Sequence, residues 1–145
     1  MAKLSAEERR RRWRADWLRC VAALADAEGQ RRVWPLGTVA GPGGSFVELL
    51  CLYFDDLGLE DGYDGAVAKA LLTPAEAACA TGLDEALEGY RPPNDDDLDH
   101  DAILADPAWA AVVAEAGRAR GALAGLLADE AERAALTEGF AEGSR

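Results

Sequence analysis

Helix starts are marked four times along the chain, and this feature constrains the fold more than any other. Three of them are capping boxes, in which a Ser or Thr side chain and a Glu three residues later satisfy each other's free backbone N–H groups. The fourth is an Asp followed by a Pro, a residue favoured in the first turn of a helix. The four starts are Ser5 with Glu8, Ser45 with Glu48, Thr73 with Glu76, and Asp106 with Pro107. Together they predict an all-α protein.

The spacing of apolar, Gly and Pro residues divides the chain into segments. We predict a single helical domain over residues 1–145, built as a bundle of about five to six helices. It has a basic N-terminal helix over 6–28 that ends before Gly29, an acidic middle over 46–106, and C-terminal helices over 107–140. A long loop rich in Gly and Pro follows the first helix, because both residues disfavour regular helix.

Two expectations about packing follow from these helices. The segment 46–57 is apolar nearly all round, which predicts the most buried, central helix. Truncation of Leu50 to Ala in that segment should then cost about 2 to 5 kcal/mol. In the last long helix, Gly117, Gly121 and Gly125 recur every four residues, which predicts that another helix packs closely there.

The cysteines and the hydropathy of the chain bear on its location. Cys20, Cys51 and Cys79 are odd in number, lie far apart and have apolar neighbours, so we predict reduced core residues. No apolar run approaches the about 18 residues that span a bilayer. The first residues carry acids and lack the apolar core of a signal peptide. These features predict a cytoplasmic protein without a membrane partner.

The net charge of −12 is concentrated in the middle of the chain. Residues 1–34 hold nine Lys or Arg against five Asp or Glu, whereas residues 35–106 hold two against sixteen. An acidic surface of this kind repels nucleic-acid phosphates and anionic lipid, and it attracts cationic molecules. The distribution favours a basic protein partner and disfavours nucleic acid.

The acids of the middle segment form two clusters in the sequence. One follows the apolar segment 46–57, and the other fills the stretch "NDDDLDHD", which contains the only histidine. Tyrosines stand near both clusters, and aromatic residues mixed with charge are typical of interface anchors. The predicted partner-binding residues are Asp55, Asp56, Glu60, Asp61, Asp64, Asp95, Asp96, Asp97, Asp99, His100, Asp101, Tyr63 and Tyr90.

The second cluster is also a candidate cation site. With Asp95 at position one, the spacing of a calcium-binding EF-hand loop puts Asp97, Asp99 and Asp106 at positions three, five and twelve. Position six, where that loop needs Gly, is His100, and no spaced Cys or His ligands accompany this histidine. We predict no metal and no other cofactor, and we keep a metal-dependent or acid/base enzyme centred on this loop as the alternative function.

Other chemistries have weaker support in the sequence. The glycines of 41–45 precede a helix start but lack the Lys of a phosphate-binding P-loop. The arginines between Arg9 and Arg14 resemble a nucleic-acid-binding helix in composition only. We expect them to pair with the protein's own acidic middle, within one chain or between subunits. A hydrolytic triad is disfavoured, because two of the three serines are expected helix caps.

The combined prediction is a small acidic helical binding protein, rather than an enzyme, that docks a basic protein through an acidic face. Immunity proteins and antitoxins mask basic toxins in a comparable way, an analogy that rests on charge and helicity alone. A homodimer is a further expectation, because one chain carries both a basic and an acidic segment.

Overall fold

Helices make up the regular structure of residues 4–140, the part of the chain that the structure, a computed structural model, describes. Nine α-helices and no strand are present in this range. They are α1 (Ala6–Leu24), α2 (Ala27–Val33), α3 (Phe46–Cys51), α4 (Asp64–Ala68), α5 (Pro74–Cys79), α6 (Thr81–Gly89), α7 (His100–Ala105), α8 (Pro107–Ala124) and α9 (Glu130–Glu138). Short 3₁₀ turns lie at Trp34–Leu36 and Pro93–Asp95, and a π-helical turn lies at Leu52–Asp56. The all-α prediction is confirmed, with more and shorter helices than expected.

All four predicted helix starts are present. Ser5 and Thr73 each complete a capping box. At Ser45 only half of the predicted capping box is present: the Ser45 hydroxyl accepts a hydrogen bond from the Glu48 backbone N–H at 3.1 Å. Asp106 accepts one from the Ala108 N–H at 3.0 Å, directly before α8. Between α2 and α3, residues 37–44 contain no helix.

Two breaks account for most of the difference in helix number. The first helix ends at Leu24, and Asp26 caps α2 by accepting a hydrogen bond from the Gly29 N–H at 2.9 Å. A Cβ at Gly29 would lie 2.3 Å from an oxygen of that Asp26 carboxylate, so a larger residue here would displace the capping side chain. Gly29 therefore lies inside a second helix and does not end the first. The second break is Ala80, which separates α5 from α6.

The buried apolar side chains form one contiguous cluster, and α1 is its centre. This helix packs against α8 and α9 and contacts α2 and α3. Five of its side chains are fully buried: Trp17, Leu18, Cys20, Val21 and Leu24. The expectation that 46–57 is the central helix is wrong, because α3 is short and only one side of it faces the core. On α3, Leu49 is 1% exposed whereas Leu50 is half-buried, so the large cost of truncation expected for Leu50 belongs to Leu49.

The row of glycines on α8 does not receive another helix. A Cβ built on Gly117 or Gly121 meets no heavy atom within 4 Å, and at Gly125 it meets only the carbonyl of Ala122 in the same helix. The buried residues of α8 lie on its other side and are Trp109, Val112, Ala116, Ala119 and Leu123. The prediction of close packing at these glycines is therefore wrong, and they lie on the exposed face.

Each of the four tryptophans donates its indole N–H to an acceptor in another segment. A buried indole needs such a partner, because an unbonded N–H would lose its hydrogen bond to water. The pairs are Trp13 to the Leu57 carbonyl (3.1 Å), Trp17 to the Tyr63 hydroxyl (3.0 Å), Trp34 to the Gly43 carbonyl (3.2 Å) and Trp109 to Gln30 Oε1 (2.9 Å). The bonds of Trp13, Trp17 and Trp109 tie other segments to α1 and α8, and that of Trp34 ties the Gly-rich loop to the 3₁₀ turn after α2.

Arg14 is the buried cation of the fold, although the sequence grouped it with the exposed arginines of α1. It is 5% exposed, and all five of its guanidinium N–H groups are bonded. Glu76 accepts two of these bonds, at 2.7 and 2.8 Å, and Glu132 accepts two, at 2.7 and 3.1 Å. The Leu71 carbonyl accepts the fifth at 3.0 Å. Arg14 thus ties α1 to α5, to α9 and to the segment before α5.

The pH dependence of stability tests this triad. The hydrogen bond from Arg14 is the largest cause of the lowered pKa of Glu76. A carboxyl whose pKa is lowered by folding stabilises the protein fully above its unfolded pKa of about 4.3, and loses that effect as pH falls through the folded value. At neutral pH, Glu76→Gln should lower the free energy of unfolding by about 1 to 3 kcal/mol.

The difference in unfolding free energy between the native protein and Glu76→Gln should narrow as pH falls below the unfolded pKa of about 4.3 and through the lowered folded pKa of Glu76. Urea unfolding at several pH values measures it, and Glu7→Gln, at an exposed position on α1, is the control. A difference that stays constant over this range would mean that the Glu76 charge does not stabilise the fold.

Candidate docking surface

The ten acids predicted to bind a partner all lie on the surface. We call them the acidic surface: Asp55, Asp56, Glu60, Asp61, Asp64, Asp95, Asp96, Asp97, Asp99 and Asp101. Within residues 4–140, none of the ten forms an ion pair; the pairs found there are Arg14–Glu76, Arg14–Glu132, Arg19–Asp16 and Arg118–Glu115. The negative charge of this surface is therefore not neutralised by the described basic residues.

The fold brings parts of the two sequence clusters together around Cys51. The pKa of the Cys51 thiol is raised, first by desolvation and then by the charges of Asp55, Glu48, Asp56 and Asp97. Asp97 belongs to the second cluster and is distant from the others in sequence, so its effect places it near the end of α3. Cys51 itself is exposed, which corrects the expectation that all three cysteines lie in the core.

The rest of the first cluster faces α6. Asp61 and Asp64 line a cavity of about 280 Å³ together with Asp84, a residue of α6 that the sequence did not single out. Glu88 is one turn further along α6, and its pKa is raised, first by the charge of Asp84, then by desolvation and by a hydrogen bond to Asp84, and last by the charge of Asp61. We call this cavity the Asp84 pocket. The spacing of four between Asp84 and Glu88 is the sequence signal that could have located it.

The π-helical turn contains a buried core residue and exposed acids only two residues apart. In this turn the Leu57 N–H donates to the Leu52 carbonyl five residues earlier, at 2.8 Å. Tyr53 points inward and is fully buried, whereas Asp55 and Asp56 are exposed. Such widened turns are rare and occur often at functional sites.

A chain of hydrogen bonds connects the core to the Asp84 pocket. The Trp17 N–H donates to the Tyr63 hydroxyl, which is 2.9 Å from the Tyr53 hydroxyl. Tyr53 donates to Asp84 Oδ1 at 2.8 Å. Desolvation raises the pKa of both tyrosines, so both hydroxyls remain protonated and able to donate.

The two tyrosines predicted as interface anchors are buried. Tyr63 is 7% exposed and belongs to the hydrogen-bond chain described above. Tyr90 is 8% exposed, packs against Phe46 and Trp109, and donates its hydroxyl proton to Asp106 Oδ2 at 2.9 Å. Neither tyrosine is therefore an exposed anchor, although Tyr63 also lines the Asp84 pocket.

The stretch from Asp95 to Asp101 is organised by backbone contacts. Asp96 accepts a hydrogen bond from the Leu98 N–H at 3.0 Å, and Asp99 caps α7. His100 lies against Trp34, with ring centroids 5.7 Å apart, and its buried Nε2 has no hydrogen-bond partner among residues 4–140. The histidine thus packs on an aromatic side chain of the core.

The same stretch does not have the geometry of a cation site. Both oxygens of Asp106, the residue at position twelve of the calcium spacing, are engaged, one with the Ala108 N–H and one with the Tyr90 hydroxyl. Among residues 4–140, no group of three or more His, Cys, Asp or Glu side chains is arranged to hold a metal ion. In the same range, no helix combines the length and hydropathy needed to cross a bilayer.

Comparison with protein-family models, with characterised proteins and with solved structures finds no match to this chain. The function must therefore be argued from the geometry and charge of its own residues.

The reactivity of Cys51 tests whether the two clusters meet. An anionic thiol reagent such as 5,5′-dithiobis-(2-nitrobenzoate) should react slowly, because the surrounding acids disfavour the thiolate and repel the reagent. In a Cys79→Ser background, Asp55→Asn and Asp97→Asn should each raise the rate by about 1.5- to 5-fold. Asp61→Asn is the control and should leave the rate unchanged, since Asp61 is not among the charges that act on Cys51. If Asp97→Asn also leaves the rate unchanged, the two clusters do not converge there.

Proposed function

We propose that this protein binds a basic protein through its acidic surface. The observation that carries the proposal is that ten exposed carboxylates have no ion-pair partner among residues 4–140. Exposed charges act over about 8 Å at physiological ionic strength, so neighbouring carboxylates attract a cationic protein jointly. Charge complementarity of this kind raises the association rate and selects the partner.

Repulsion within the protein supports the same proposal. The raised pKa of Glu88 arises first from the charge of Asp84, which is the effect of placing acids together without a cation between them. Asp55 and Asp56 lie at the end of a helical segment, where the helix dipole disfavours negative charge. These acids lie at electrostatically unfavourable positions, and their negative charge is available to a cationic partner.

The Asp84 pocket is where we expect a basic side chain of the partner to bind. Its volume of about 280 Å³ and its three carboxylates, Asp61, Asp64 and Asp84, suit an Arg or Lys side chain. Asp84 is held in place by Tyr53, so the acceptor is positioned before the partner arrives. By analogy, such a protein would mask a basic toxin, as immunity proteins and antitoxins do. No observation favours the alternative of an enzyme centred on His100.

Association kinetics test the proposal. Basic proteins captured from a lysate of the native host are identified and purified, and their association rates with this protein are measured at low and at high salt. Replacing Asp95, Asp96, Asp97 and Asp99 by Asn should slow association by about threefold to tenfold at low salt, and by less at high salt. Asn preserves the capping of α7 by residue 99.

The matched control changes the net charge equally but away from the acidic surface. It replaces four exposed residues, Glu7, Glu28, Glu130 and Glu138, by Gln. This control should retain most of the association rate. Equal slowing by both variants would show that net charge alone matters, and an association rate indifferent to both and to salt would remove the basis of the proposal. If the analogy with immunity proteins and antitoxins holds, a gene for a basic toxin should adjoin the gene for this protein.

A further inference from the structure

An apolar groove runs beside the N-terminal half of α1. It has a volume of about 480 Å³, and its apolar floor is formed by Leu4, Trp13, Pro42, Leu52, Leu57 and Phe140. Arg9, Arg12, Asp16 and Asp56 also line it. The two arginines are exposed and form no ion pair with another described residue. Arg9 also donates a hydrogen bond to the Leu4 carbonyl at 2.6 Å. We call this feature the α1 groove: it offers an apolar floor beside two exposed arginines that have no ion-pair partner among residues 4–140.

The complementary feature is Leu98. Its exposed fraction of 72% is the largest of the exposed large apolar side chains in residues 4–140. It is surrounded in the chain by Asp96, Asp97 and Asp99. Asp96 accepts the Leu98 N–H, so the leucine is presented by an ordered turn. An apolar side chain flanked by acids fits a groove with an apolar floor and arginines at its side.

The groove and Leu98 lie on the same face of the protein. His100, two residues after Leu98, packs against Trp34 with ring centroids 5.7 Å apart. The Trp34 indole N–H donates to the carbonyl of Gly43, the neighbour of Pro42 in the groove lining. The charges of Asp56, which lines the groove, and of Asp97, which precedes Leu98, also both act on the exposed thiol of Cys51. When an exposed side chain and a groove that fits it lie on one face, two copies can pair about a twofold axis. Each copy then inserts its side chain into the groove of the other, as in an isologous dimer.

We propose that two copies of this chain pair through this face, with Leu98 of each copy in the α1 groove of the other and Asp97 and Asp99 against Arg9 and Arg12. Each copy carries a net charge of −12, so the copies repel one another at long range, and the dimer is weak and forms as concentration rises. The inference goes beyond the proposed function, because it requires no basic partner. It also makes self-association compete with any partner for the Asp95–Asp101 stretch.

Sedimentation velocity over a range of protein concentrations tests the proposal. The weight-average mass of the native protein should rise above that of the monomer. Leu98→Ser should remove the rise, and so should the double substitution Arg9→Glu with Arg12→Glu, because each variant abolishes both contacts of the dimer. Leu126→Ser, at another exposed leucine, and Arg31→Glu with Arg133→Glu are controls that should dimerise normally. All four variants change exposed side chains, and circular dichroism checks that they are folded.

Mixing the variants gives the sharpest test. The Leu98→Ser protein keeps its groove, and the Arg9→Glu, Arg12→Glu protein keeps its Leu98, so an equal mixture can form one of the two contacts. The mixture should associate more than either variant alone and less than the native protein. A bismaleimide, which adds one thiol to each of its two double bonds, should cross-link native dimers, and Cys51→Ser should abolish this product. A protein that stays monomeric at every concentration, or a Leu98→Ser variant that dimerises like the native protein, overturns the proposal.

Discussion

The guanidinium of Arg14 is the point at which three distant parts of the chain are fastened together. It joins α1 to Glu76 on α5 and to Glu132 on α9, and all of its donors are used. Removing the only partner of a buried charge typically costs about 3 to 5 kcal/mol. Glu76→Gln should cost less, because Glu132 still pairs with Arg14. Glu76 is also the third residue of the Thr73 capping box, so the start of α5 and its attachment to α1 depend on the same carboxylate. This attachment holds α5 and α9 against α1.

Local sequence signals predicted where helices begin better than they predicted how the helices pack. The starts at Ser5, Ser45, Thr73 and Asp106 could be read because a cap involves residues only two or three apart. The breaks after Leu24 and at Ala80 could not, because neither contains Pro or an obvious stop and tertiary contacts decide where the chain turns. The burial of Arg14 had a readable signal: it precedes Trp17, Leu18 and Val21 by three, four and seven residues, which is the spacing of one helix face. This signal was missed because Arg14 closely follows the consecutive arginines of 9–12, and all of them were treated as one group.

The acids of the candidate site could be predicted from the sequence, but their spatial arrangement could not. All ten acids are exposed, yet their grouping in the sequence is not their grouping in space. Asp97 acts on Cys51 together with Asp55, whereas Asp61 lies across the Asp84 pocket from α6. The separation of the acids along the chain could not predict their grouping in space. That grouping depends on how the Pro93–Asp95 turn and the π-helical turn bring their segments together. The buried Arg14 holds α1, α5 and α9 together through ion pairs. The ten acids of the acidic surface form no ion pair within residues 4–140.

We therefore propose that the acidic surface serves contact with another molecule and not folding. This proposal is tested most directly by the free energy of unfolding in urea of a variant with Asp55, Asp56, Asp61 and Asp97 replaced by Asn. None of these side chains makes a described hydrogen bond or ion pair, and two of them oppose a helix dipole, so the free energy should stay unchanged or rise. A loss of more than about 1 kcal/mol would contradict the account, because surface substitutions without structural roles change stability by less than that.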